Sequence, residues 1–216
     1  MSKTRVRTNI LKKLESSIIQ YFCKVMPEWM TSDMLTGIGL GGSILIGVGL
    51  YLANSEPIWL ALCVAGFAIQ WFGDSLDGRL AYYRNIPRKW YGWALDISVD
   101  WISIGLIGGG FYYYFDQYKF VSFLFVFAYG WSMINSLLKY RITDRYSIDT
   151  FLMGPTEVRI LICIFLVLEY LFPGTLLLFG IGGSGILVLI NLLDLRSILK
   201  RGDERDIKEK IDANKK

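Results

Sequence analysis

Gly73-Asp74-Ser75-Leu76-Asp77-Gly78-Arg79-Leu80-Ala81 closes one apolar run, and Gly92-Trp93-Ala94-Leu95-Asp96-Ile97-Ser98-Val99-Asp100 opens the next. Asp74 and Asp77 are spaced i, i+3, and Asp96 and Asp100 i, i+4, so each pair shares one helix face. The runs they interrupt, Ile58–Gly73 and roughly Trp93–Phe115, read as membrane spans. Consecutive spans run antiparallel. The four carboxylates therefore come to one membrane depth and can face one another.

Four further stretches of the same kind lie outside this pair: Met34–Leu52, Phe120–Leu138, Val158–Phe172 and Gly174–Leu193. Of the 216 residues, 53% are apolar and 19% charged, and the mean hydropathy is +0.40. A soluble domain carries about 25% charged residues. The expected fold is an all-α integral membrane protein of six transmembrane helices with an N-terminal amphipathic interfacial helix. Residues 1–33 form the amphipathic segment, 34–195 the catalytic membrane domain and 196–216 a charged tail. That plan excludes a secreted, disulfide-built or nucleic-acid-reading domain.

Residues 1–26 set Lys3, Arg5, Arg7, Lys12, Lys13 and Lys24 against Leu11, Leu14, Ile18, Phe22 and Val25 at helical spacing. This reads either as a helix lying in the membrane surface or as one packed on the bundle. The first apolar stretch starts too late, and with the wrong flanks, for a cleavable leader. The tail from Arg196, with eight Lys/Arg and five Asp/Glu, reads as a solvated helix or a disordered end. Short connections at 53–57, 116–119 and Pro173 alternate with long ones at 74–92 and 139–157. Of 23 Lys and Arg residues, only Lys119 falls on the short side. By the positive-inside rule both termini and the acidic cluster are cytoplasmic.

Histidine is absent, which excludes imidazole-based catalysis. Cys23, Cys63 and Cys163 are scattered, with no CxxC spacing, so neither a disulfide framework nor a zinc site is indicated. Glycines crowd the first span (Gly37, Gly39, Gly41, Gly42, Gly47, Gly49) and the last (Gly180, Gly182, Gly183, Gly185). Close helix packing is the reading they favour.

An Asp at the centre of a span costs roughly 2.5–3.5 kcal/mol on insertion scales. Four together need neutralising. All-oxygen ligation suits Mg²⁺, Mn²⁺ or Ca²⁺ rather than zinc or copper. The plainer alternative is that these aspartates cap helices or pair with Arg79 and Arg84.

The string Asp74-x2-Asp77-Gly78-x2-Ala81, then Gly92-x3-Asp96-x3-Asp100, resembles the signature of the CDP-alcohol phosphatidyltransferases. These are membrane enzymes whose six-span plan fits most of the chain. Trp29-x-Thr31-Ser32-Asp33-x-Leu35-Thr36-x-x-Gly39 and Gly154-Pro155-Thr156-Glu157-Val158-Arg159 are weaker likenesses, nearest the choline/ethanolamine phosphotransferase branch and small bacterial relatives. The sequence departs from the pattern where Tyr82 replaces an Arg, where the spacer to Gly92 is one residue longer, and where Ile97 replaces that branch's His.

The resemblance implies transfer of a phospho-alcohol group from a CDP-linked donor to an alcohol acceptor, with CMP released, in phospholipid synthesis. It implies Mg²⁺ or Mn²⁺ on Asp74, Asp77 and Asp96 at the donor diphosphate. Asp100 would be the catalytic base, also touching a second metal. Gly78 and Ala81 would let CDP approach the helix backbone. Asp33 would stand near the cytidine, although a helix N-cap is an equal reading of it. A helix continued through residue 84 at about 100° per residue puts Arg84 near the Asp77 edge of the acidic stripe and Tyr82 toward the Gly78 edge. Arg84 is accordingly a candidate for the missing cationic contact to the donor, or else a positive-inside anchor. Arg141, Arg145, Glu157 and Arg159 flank the loop before the fifth span and are candidates for holding an acceptor phosphate or headgroup. The basic ones equally suit contact with anionic lipid.

The implied partners are the CDP-linked donor, the alcohol acceptor and membrane lipids. Nucleic acid is not among them, and a homodimer is left open. Two other functions use the same cluster: a divalent-cation transporter, and an inactive relative serving as a scaffold. Against the transporter, the extracytoplasmic halves of the spans are nearly bare of charge, with Glu169 the main exception.

Overall fold

The computed structural model describes residues 12–143 and 155–214. Arg145, Gly154 and the basic residues before Lys12 lie outside them. Among the described residues seven α-helices follow in order: α1 (Lys12–Val25), α2 (Ser32–Ala53), α3 (Leu60–Tyr83), α4 (Lys89–Tyr114), α5 (Lys119–Thr143), α6 (Pro155–Leu171) and α7 (Thr175–Ala213), with a 3₁₀ turn at Pro57–Trp59. Among the described residues, five helical segments are long and apolar enough to cross a membrane: Ser32–Ala53, Pro57–Tyr83, Lys89–Tyr114, Lys119–Thr143 and Thr175–Ala213. The sequence predicts six. The remaining one, α6, has 17 residues, at the short end of what spans a bilayer.

Local chemistry sets the helix ends. Thr31 is the N-cap of α2, its Oγ1 accepting the Met34 N–H at 3.2 Å. α3 ends in a Schellman turn, in which Asn85 N–H donates to Tyr82 O (3.1 Å) and Ile86 N–H to Ala81 O (3.0 Å). Asn85 takes the left-handed conformation this needs, with φ of 58°. Asn tolerates it better than most residues. At the opposite end of the bundle, buried Glu169 accepts the N–H groups of Gly174 (3.0 Å) and Leu176 (2.7 Å) and the Tyr114 hydroxyl (2.9 Å). The charge in that half of the spans is thus held in place by the start of α7 and by α4.

α2 lies hard against α3. A Cβ on Gly73 would come within 2.4 Å of Gly39 N and Leu35 O, and one on Gly42 within 2.5 Å of Gln70 N. Only glycine permits that approach, and it fixes the backbone immediately before Asp74. Not all the crowded glycines serve this end, since Gly37, Gly41, Gly182 and Gly185 have open space around them. The main core joins Ile46, Leu50, Cys63, Phe67, Phe111 and Leu166 across four helices. A second cluster seats Ile19 and Cys23 of α1 on Leu35, Leu76 and Leu80, so α1 packs on the bundle beside the acidic segment. Asn191 ties α7 to α5, donating to Ala128 O (2.7 Å) and accepting from the Ser132 hydroxyl (2.8 Å). α7 runs unbroken past residue 196, so the described part of the charged tail is helical.

Candidate active site

The antiparallel pair α3 and α4 brings its aspartates to one end of a cavity of about 2490 Å³. Asp74, Asp96 and Asp100 each offer one carboxylate oxygen, and these oxygens all lie within 4.8 Å of one another. Asp77 also lines the cavity but turns toward α2. Its Oδ2 accepts the Thr36 hydroxyl at 2.8 Å, and its Oδ1 faces the Gly78 N–H. The converged trio is therefore 74, 96 and 100, where the motif's implied donor-diphosphate set is 74, 77 and 96. The reason lies on α2: Thr36 supplies the donor that draws Asp77 to its own side.

Arg159 of α6 enters the cluster, its Nη2 lying 2.5 Å from Asp74 Oδ2. Both side chains are largely enclosed, at 14% and 27% exposed. Tyr129 of α5 lines the same space within electrostatic reach of Arg159, Asp100 and Asp74. Three carboxylates and one guanidinium carry two net negative charges, which one divalent cation balances. The donor set fits such an ion. Three carboxylate oxygens gathered this closely suit a hard divalent cation such as Mg²⁺ or Mn²⁺, which Asp74, Asp96 and Asp100 would hold.

The nucleotide-side candidates fall around the α2 and α3 ends of the cavity. A Cβ on Gly78 would meet nothing within 4 Å, so the α3 backbone is open to a ligand there, and Ala81 lines the space one turn on. Asp33 is not the cap of α2, since Thr31 is; its Oδ1 pairs with Arg88. That contact, with the Tyr91 ring 4.1 Å from the Arg88 guanidinium, holds Arg88 over the start of α2. The hydrogen bond to Asp33 raises the Arg88 guanidinium further above its ordinary range. Arg84, the C-cap of α3, lines the cavity but turns its guanidinium to the α1–α2 connection, donating to Met30 O (2.6 Å) and Pro27 O (2.7 Å). Arg79 reaches Glu15 of α1 at 3.6 Å. Tyr82 lines the cavity and is exposed.

The acceptor candidates separate. Arg159 joins the aspartates. Glu157 is half-buried and outside the cavity lining, and Arg141 is exposed, its carbonyl accepting from Arg205 of α7 at 2.9 Å. The cavity lining also includes apolar side chains of α5, α6 and α7, among them Phe125, Leu161, Phe165, Phe179 and Leu187.

Neither the family models nor the curated proteins contain a match to this chain. Among solved structures, the Mycobacterium tuberculosis phosphatidylinositol phosphate synthase PgsA1, crystallised with CDP-DAG bound, superposes with a TM-score of 0.51. The match covers 88% of this chain and 92% of that one at 21% identity. This chain has the fold of that synthase. The fold and the aspartate motif are thus two separate likenesses, one to a synthase crystallised with CDP-DAG and one to the CDP-alcohol phosphatidyltransferase signature.

Proposed function

We propose that this protein is an integral-membrane CDP-alcohol phosphotransferase. It moves a phospho-alcohol group of the phosphatidyl kind from a CDP-linked donor to an alcohol acceptor and releases CMP. The observation that carries this reading is the convergence of Asp74, Asp96 and Asp100 within 4.8 Å beside the open α3 backbone at Gly78. The shared fold with a CDP-DAG-bound synthase supports it.

In the reaction the acceptor oxygen bonds to the donor's β-phosphorus as the bond from that phosphorus to CMP breaks. Asp100 lies one turn deeper along α4 than Asp96 and accepts the acceptor's hydroxyl proton. Asp74, Asp96 and Asp100 hold Mg²⁺ or Mn²⁺, with Asp77 at the edge of the set. A divalent ion bound there supplies neutralisation of the charge that gathers on the diphosphate oxygens. Arg159 orients Asp74 and limits repulsion within the trio. Gly78 and Ala81 leave room for the nucleotide, and Asp33 with Arg88 forms the rim beside it. The apolar lining from α5, α6 and α7 takes the hydrocarbon part of a lipidic substrate.

In this reading α6 is the sixth span, α1 lies at the cytoplasmic membrane surface while packing on α3, and both termini and the active site are cytoplasmic. The region 34–195 forms the catalytic body, with phospholipid synthesis as its setting. The test is to supply purified protein in lipid vesicles with CDP-diacylglycerol or another CDP-alcohol and a panel of acceptor alcohols, and to identify the lipid product by mass spectrometry. A new phosphodiester lipid formed with stoichiometric CMP supports the reading. Absence of product across the panel from folded protein would count against it and leave the scaffold function in its place.

A further inference from the structure

The connection between α3 and α4 carries two arginines, and both reach back to the start of α2. Arg88 pairs with Asp33. Arg84 does more. Its Nη1 donates to Met30 O at 2.6 Å and Glu28 O at 3.4 Å, and its Nη2 to Pro27 O at 2.7 Å and Met26 O at 3.3 Å. α1 ends at Val25 and α2 begins at Ser32, so one guanidinium gathers four of the six carbonyls in the linker between them. Pro27 O also accepts the Met30 N–H at 3.1 Å, and a planar fork of donors can serve several carbonyls at once. The Schellman turn at Asn85 aims Arg84 by stopping α3 at that residue.

The linker and the first turn of α2 together border the active-site cavity. Glu28 and Thr31 of the linker and Ser32 and Asp33 of α2 line it, and one turn further on Thr36 holds Asp77. The acidic trio, by contrast, is held by α3, α4 and Arg159. We infer that Arg84 is a positioning residue for the nucleotide end of the donor: it clamps the α1–α2 linker so that the first turn of α2 faces the CDP group. The inference rests on the proposed transferase activity, and it separates donor binding from the chemical step. Loss of the clamp shifts the donor wall and leaves the trio in place.

The test compares Arg84→Ala, Arg84→Lys and Asn85→Gly with wild type in lipid vesicles. It measures CMP release against CDP-diacylglycerol concentration, together with amide hydrogen exchange. Arg84→Ala and Arg84→Lys are expected to raise the donor KM about tenfold with kcat within about twofold and acceptor KM unchanged. Lysine keeps the charge but lacks the fork, so it rescues a membrane anchor or a point charge and not a clamp. Residues 26–33 should exchange faster in both variants while α4 to α7 keep wild-type protection. Asn85→Gly, which accepts the same φ, should behave as wild type. Full rescue by lysine, an unchanged donor KM in Arg84→Ala, unchanged exchange over 26–33, or loss of protection throughout the bundle would each overturn the inference. If wild type releases no CMP, the transferase reading fails, and the exchange data alone still decide whether the clamp exists.

Discussion

Arg159 Nη2 stands 2.5 Å from Asp74 Oδ2, joining α6 to α3 across 85 residues of sequence. The contact places a permanent positive charge against a site otherwise built from carboxylates, and both side chains are mostly enclosed. Breaking such a pair from one side leaves an uncompensated charge, which costs about 3–5 kcal/mol when the site is buried; partial exposure here puts the expectation at the lower end. Arg159→Gln should therefore lower the thermal midpoint in detergent. Added Mg²⁺ should recover more of that midpoint in the variant than it adds to wild type, because a cation can replace the missing charge. Equal Mg²⁺ shifts in both proteins would mean that Arg159 and the metal do not share a site.

The separation of Asp77 from the trio predicts two classes of aspartate variant. Asp74→Asn, Asp96→Asn and Asp100→Asn should each abolish or strongly weaken Mn²⁺ binding followed by electron paramagnetic resonance. Asp77→Asn should weaken it less, and Thr36→Val should resemble Asp77→Asn in raising the donor KM. Indistinguishable Mn²⁺ affinities across the four aspartate variants would remove the distinction.

Two glycines five residues apart should respond in opposite ways. Gly73→Ala drives a methyl group to 2.4 Å from the α2 backbone, where no flexible side chain can yield, and should destabilise by about 1–3 kcal/mol as for other overpacked positions. Gly78→Ala meets open space inside α3 and should hold or slightly raise the thermal midpoint, since alanine is the better helix former, while raising the donor KM. Thermal melts alongside donor titrations check both. A stable Gly73→Ala variant would contradict the close α2–α3 contact.

At the start of α2 the cap and the candidate donor residue are different side chains. Thr31→Ala should cost about 1 kcal/mol of stability with no large change in donor KM. Asp33→Ala should raise donor KM with little effect on stability, since its partner Arg88 is exposed and surface pairs contribute little. Chemical denaturation and donor titration of the two variants separate these effects, and a reversed pattern would make Asp33 structural.

The acidic centre was legible because i, i+3 and i, i+4 spacing fixes a shared helix face before any tertiary structure is known. Close packing of α2 was legible from its glycines, Gly42 among them, but that its neighbour is α3, met at Gly73, depends on how the helices dock. Arg159 was legible as a basic residue near the site, but its bond to Asp74 depends on where α6 docks on α3. Asp77 shares the motif and the face, yet Thr36 on a separate helix decides which way its carboxylate turns. Arg84 falls at the edge of the acidic stripe on a helical projection, and that projection carries no information about the linker carbonyls on its other side. The role of Glu169 was hidden for the same reason, because its partners are the Tyr114 hydroxyl and backbone N–H groups at the start of a helix that begins six residues later. Tyr129 had no sequence signal, being one aromatic among many in an apolar span.

Metal-dependent transfer is decided by CMP release from CDP-diacylglycerol by the purified protein in lipid vesicles, taken with Mg²⁺, with EDTA and in the Asp96→Asn variant. Wild type should show acceptor-dependent CMP release with Mg²⁺, none with EDTA and recovery when Mg²⁺ or Mn²⁺ is restored, and a folded Asp96→Asn protein should release none. Release that persists undiminished in EDTA or in Asp96→Asn would contradict it.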